Sequence, residues 1–220
     1  PAPSHEFMLD ATREAVKLNN QVGVTAWMDA AANAGLGDSV FELIPTDKTT
    51  GVLPLYRTLA ENGELSAHVA ALMIANPKSK PADLAVIDKV MQQFKGVPNL
   101  SFPGIKIFAD GVMEFPGQTA AVIDPFKNSL KRGELLIDPA NFGQLVAAAE
   151  KRDWIVHMHA VGDRAVRETL NGVEYARKLN PTPMPHSISH LQLVNPKEFP
   201  RFKQLGVIAS MQLLWATAES

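Results

Sequence analysis

The chain contains no cysteine. Disulfides, thiolate metal sites and a cysteine nucleophile are therefore excluded, while the compartment stays open, cytoplasm or periplasm. No apolar run approaches the roughly 20 residues of a membrane span. The N-terminal PAPSHEF does not read as a signal peptide, although a mature chain that has lost its leader would look the same. Charge of one sign is lacking as well: 21 Lys and Arg stand against 23 Asp and Glu, a formal net charge of −2. No electrostatic case exists for nucleic acid or an anionic membrane as partner. No Gly-rich phosphate fingerprint follows any apolar run, which weakens a nucleotide-binding reading. No serine stands in a G-x-S-x-G elbow, so a serine hydrolase is unsupported. Low-complexity segments and sequence repeats are missing too.

What is present is an ordinary globular composition. Of the 220 residues, 46% are hydrophobic and 20% charged, enough for one domain over 1–220 with a sizeable core. An architectural unit recurs: a short apolar run, a loop, a helix-period segment, another apolar run. Strands are predicted at 22–28, 67–75, 104–109, 154–160, 186–193 and 206–212. Helices are predicted at 9–20, 53–62, 81–95, from 138, from Asp163 to about 179, and from 195. In the third of these, Leu84, Ile87, Val90, Met91 and Phe94 fall on one face. From 138, Phe142, Leu145, Val146 and Ala149 point inward; after Asp163, Val166, Leu170 and Val173 do. The last helix carries Phe199, Phe202 and Leu205. Alternation of this kind implies a parallel sheet with helical crossovers, either doubly wound or a (β/α) barrel. The unusual residues fall late in the strands or just after them, as on the catalytic rim of a barrel.

The stretch WIVHMHAVGDRAV at 154–166 carries most of the chemistry. His157 and His159 are two apart, so a strand points both to one face. Gly162 ends the strand, and Asp163 can cap the next helix. In HSISHLQL, at 186–193, His186, Ile188 and His190 share one side. In GIKIFA, at 104–109, Lys106 interrupts a buried run. Residues 110–134 show no period, and loops of that length are usually functional or disordered.

Lys106, His159 and His190 come from three successive strands and converge on one mouth if those strands are parallel neighbours. Neutral imidazoles bind zinc and similar ions. Burial lowers a lysine's pKa, and a neutral amine can react with carbon dioxide to give a carbamate, an oxygen ligand able to bridge two metals. The blander readings stand beside these. A strand histidine is often a hydrogen-bonded structural residue, the part given to His157 and His186, which lie deeper. His157 shares its face with His159 and so is also a candidate on the substrate side. Lys106 can snorkel to the rim or pair with Asp110. Arg164 can hold a substrate carboxylate or fix a loop; Asp163 and Gln118 complete the substrate-side candidates. His5 and His68 read as surface residues, and the region of Trp215 as mouth or packing.

Four segments together resemble the metal-dependent amidohydrolase superfamily, in the branch that holds N-substituted formamide deformylase and AepA-like proteins. They are GIKIFADGVMEFPGQTAAV (104–122), HMHAVGDRAV (157–166), SISHLQLVNPKEFPRFKQLGVIASMQ (187–212) and LLWA (213–216); GVTAWMDA (23–30) fits the early barrel. The resemblance implies a TIM barrel with one or two divalent metals at its mouth, zinc foremost. It implies metal ligation by His159 and His190, with Lys106 as a carboxylated bridging ligand, and hydrolysis of C–N bonds in small amide-type substrates. The family's His-x-His of strand one, the aspartate of strand eight and the small β-domain are not in this sequence. The fold class expected is therefore α/β, an incomplete (β/α)8 barrel of about six parallel strands, strands two to seven. A piece of that kind is expected to be inactive alone, with open edges that a second copy could cover. The competing reading is a non-catalytic binding or regulatory module derived from the barrel.

Overall fold

The computed structural model describes residues 3–180 and 184–212. The Pro-rich break at 181–183, LLWA at 213–216 and Trp215 lie outside the described residues. The chain divides into two compact units, 1–75 with 85–104, and 76–84 with 105–220.

In the first unit, α1 (His5–Gln21) begins a turn earlier than its apolar period suggests, because Ser4 Oγ accepts from Phe7 N at 3.1 Å and caps it. Its end takes up the start of the predicted first strand. Val22 N and Val24 N both donate to Asn19 O, and Gly23 turns left-handed at φ 80°. The strand β1 is thus only Ala26–Asp29. It runs parallel to β2 (His68–Ile74), Ala26 beside His68 and Asp29 beside Ala71. The helix α2 (Leu53–Glu61) buries Leu53, Leu55, Tyr56 and Leu59. A 3-10 turn at Pro81–Asp83, which belongs to the second unit, leads into α3 (Leu84–Gln93), part of the first unit from Ala85 on. Leu84, Ile87, Val90, Met91 and Phe94 are all buried, as their spacing predicts. The strand β3 (Leu100–Phe108) starts four residues before the apolar run that announces it. Ser101 Oγ donates to Val69 O there, and Val69 N donates to Asn99 O.

The second unit continues from β3 through α4 (Pro139–Glu150), β4 (Ile155–Ala160), α5 (Asp163–Leu179), β5 (Ser187–His190), α6 (Phe199–Leu205) and β6 (Ile208–Met211). The strands follow one another in chain order, β1-β2-β3-β4-β5-β6. The pairs β4–β5 and β5–β6 are parallel. Two helices face β4: α4 is capped by Asp138, which accepts from Ala140 N, and α5 packs beside it. The inward residues predicted for both are buried. One local expectation needs correcting. Asp163 does not cap α5; the N-cap is Gly162, and Asp163 is the first helical residue. Phe199 in α6 stands 58% exposed, and no residue of that short helix is buried. Among the described residues no helix is long and apolar enough to cross a membrane.

Candidate functional site

Strand register explains which side chains meet. In a parallel pair, residues side by side share a face, and successive residues alternate. His157 lies beside Ser187 and His159 beside Ser189, so these four share one face. On β3, Lys106 and Phe108 fall on it as well: Phe108 packs its ring on His159 at 5.2 Å, and Lys106 Nζ lies 5.1 Å from the Phe108 ring centre. The opposite face carries Val156, Met158 and Ile188, all fully buried.

By alternation His190 belongs with Ile188 and His186, away from the site. Instead the backbone turns left-handed at His190 (φ 80°) and again at Leu191 (φ 54°). The imidazole swings over, and its ring centre lies 4.5 Å from that of His159, at 65° between planes. His186 keeps its alternation. It stays on the helix side, where Nε2 lies 2.9 Å from Glu150 Oε1.

The structure thus brings His157, His159, His190 and Lys106 together. Their surroundings keep the group poorly charged. Burial lowers Lys106 from 10.5 to about 7. Burial lowers His157 to about 3 and His159 to about 4, with neighbouring Lys106 and His190 adding to both. His190 is lowered by burial and then by Lys106. Lys106 does not pair with Asp110; its Nζ donates to Ser189 Oγ at 3.1 Å. His157 Nδ1 lies 2.6 Å from Ser187 Oγ.

Asp110 has another task. Its carboxylate, fully buried, accepts from Ala121 N at 2.9 Å, Val161 N at 3.0 Å and Gly162 N at 2.8 Å. Burial still pushes its pKa up to about 6, against those three bonds. It ties the segment after β3 to the turn after β4. The next residue completes the arrangement: Gly111 O lies 2.8 Å from His159 Nε2. A carbonyl only accepts, so Nε2 carries the proton and Nδ1 the lone pair. Asp110 Oδ1 also lies 3.5 Å from Nε2, a contact that is an ion pair only when the ring is protonated, and burial disfavours that form.

The substrate-side candidates are more scattered in role. Asp163 Oδ1 accepts from Ile123 N at 2.8 Å and so pins the 110–134 segment. Arg164 is exposed at the start of α5. Gln118, left-handed at φ 44°, is 5% exposed; its Nε2 donates to Asn128 Oδ1 at 2.7 Å, and its Oε1 is buried without a partner among the described residues. The segment that holds it has neither helix nor strand, yet Ala120, Ala121 and Val122 are buried. Gly162 is required against it: a Cβ there would stand 2.1 Å from Ala121 O. Ser187, Ser189, Asp110 and Gly111 escaped a site reading from sequence. The period-two spacing of the serines within HSISH and the Asp-Gly that follows GIKIFA were the available signals.

The donor set fits a divalent ion. Neutral imidazole nitrogens are zinc ligands, and the His159 and His190 rings are neighbours, centres 4.5 Å apart. No three His, Cys, Asp or Glu side chains gather for a metal among the described residues.

Comparison with known proteins gives the family and the fold. The exoenzymes regulatory protein AepA of Pectobacterium carotovorum subsp. carotovorum is 32% identical over 104 residues, 47% of this chain and 22% of that protein. An uncharacterized metal-dependent hydrolase from Pyrococcus furiosus superposes with a TM-score of 0.67 at 23% identity, covering 93% of this chain and 37% of that one. A similar hydrolase from Pyrococcus horikoshii OT3 gives 0.68 at 23% identity, over 94% and 37%. The two structures share the fold, an α/β barrel of which this chain has six strands. The chain spans less than half the length of each of these proteins. The amidohydrolase family profile matches residues 4–219, and the chain belongs to that family.

Proposed function

We propose that the protein containing this chain is a metal-dependent hydrolase of C–N bonds in small amide-type substrates. The observation that carries this reading is the meeting of His159 and His190 at 4.5 Å, reached only by a left-handed turn at the end of β5. His159 and His190 hold the ion through imidazole nitrogens. His159 does so through Nδ1, because Gly111 O takes its Nε2 proton. Lys106 joins them as a carbamate. A divalent ion, zinc foremost, supplies Lewis-acid polarisation of the carbonyl and water of lowered pKa. The 110–134 segment, with Gln118, shapes the substrate side. Asp163 fixes that segment, Arg164 lies at its border, and His157 backs the cluster from one layer deeper.

Metal analysis and amide hydrolysis by the full-length protein test this. His159→Ala and His190→Ala should each weaken metal binding by more than the roughly 10–100-fold typical of outer-shell changes, and abolish turnover. Unchanged metal content in both variants would sink the reading. A second reading, a regulatory module without chemistry, is favoured by the identity with AepA, a protein named for regulation. Full-length protein with neither bound metal nor amide turnover would decide for it.

A further inference from the structure

Ser189 Oγ makes two hydrogen bonds whose directions are fixed. It lies 3.1 Å from Met158 O and 3.1 Å from Lys106 Nζ. A carbonyl oxygen only accepts, so the single hydroxyl hydrogen goes to Met158. Toward Lys106 the hydroxyl can then only accept, and one N–H of the amine must point at it. Ser189 is 2% exposed and Lys106 4%, so bulk water does not compete for either.

That polarity matters if Lys106 becomes a carbamate, the reading on which this inference rests. In Lys-NH2 + CO2 → Lys-NH-COO⁻ + H⁺, the nitrogen lone pair forms the new C–N bond. One C–O π pair moves onto oxygen, and one N–H proton leaves to solvent. A single N–H survives. A hydroxyl that needed to donate would lose its partner, because the carbamate nitrogen is no acceptor. Ser189 faces the nitrogen as an acceptor and loses nothing. We propose that Ser189 is the positioning residue for a carbamate on Lys106: it holds the N–H that survives the reaction and fixes the rotation of the group about the Cε–Nζ bond.

The test is ¹³C NMR of the full-length protein in ¹³C-bicarbonate, reading the carbamate carbon at subsaturating bicarbonate. Wild type should show the signal and Lys106→Met should not. Ser189→Ala and Ser189→Cys should lower its occupancy about two- to fivefold, because the amide-like N–H of a carbamate donates more strongly to Ser189 Oγ than the amine N–H it replaces, so losing the acceptor weighs more on the carbamate. Ser189→Thr, which restores the hydroxyl, should recover it. Cysteine is nearly the size of serine and a poor acceptor, so it carries the test if the alanine variant does not fold. A wild-type signal that persists undiminished in the alanine or cysteine variant overturns the role of Ser189 and leaves the carbamate standing. No signal in wild type overturns the carbamate and this inference with it.

Discussion

The rings of His159 and His190 meet edge to face, centres 4.5 Å apart, although the sheet register places His190 beside Ala160. A regular strand would send the His190 ring to the helix side with Ile188. Two consecutive left-handed residues, His190 and Leu191, prevent that. Each such residue costs on the order of 1–3 kcal/mol and persists only where surroundings over-determine it. Here Leu191 N donates to Ala160 O at 3.1 Å, and Leu193 N to Val161 O at 3.0 Å. β4 therefore holds the turn that delivers the imidazole from β5.

Lys106 should make the metal-free protein less stable at neutral than at alkaline pH. Burial holds its folded pKa near 7, against 10.5 in the open chain. Between those values the unfolded chain binds a proton that the folded one does not, so stability rises as pH rises from 7 to 10.5. The full effect is on the order of 5 kcal/mol. Lys106→Met should raise the Tm at pH 7 and flatten its rise toward pH 10. Thermal melts across that range check it; the same slope in both proteins would refute the assignment.

Asp110→Asn keeps the shape and removes one acceptor oxygen facing three backbone N–H groups. An amide NH2 then confronts a donor. The expected cost is about 2–3 kcal/mol, the scale of a hydrogen bond to a charged group. Hydrogen exchange should quicken at Ala121, Val161 and Gly162 before it does elsewhere. Denaturant melts with residue-resolved exchange measure both.

Glu150→Ala should be among the most damaging single changes in the second unit. Glu150 accepts from Arg177 Nη1 and from His186 Nε2, and Asn180 Nδ2 lies 3.0 Å from Oε2. His186 Nδ1 in turn accepts from Val156 N at 2.9 Å, which fixes its Nε2–H tautomer. Removing the carboxylate leaves the part-buried Arg177 guanidinium without its counter-charge and the buried His186 Nε2–H without its acceptor, at about 3 kcal/mol. Glu150→Gln should recover part of that, since the amide oxygen still accepts. Equilibrium denaturation of both variants checks the order.

Much of the fold was legible because helical burial follows local period. Leu84 through Phe94 on α3, and Val166, Leu170 and Val173 on α5, are buried where their spacing puts them. Strand starts were less legible. The run at 22–28 loses its first half to the end of α1, since Asn19 O captures Val22 N and Val24 N, a competition that apolar content does not record. In the site, His157 and His159 could be placed on one face because alternation is a property of two adjacent residues.

The order of strands and helices, the shared face of the β4 histidines and the anomaly of Lys106 are written in the sequence, because each follows from period or from one residue's chemistry. The side His190 takes, the acceptor role of Ser189 and the three donors on Asp110 were decided only by tertiary structure. Each depends on a backbone group from a strand or loop distant in sequence: Ala160 O, Met158 O, or the N–H groups of Ala121, Val161 and Gly162. Side-chain period carries no record of which remote carbonyl or amide will stand within hydrogen-bonding reach.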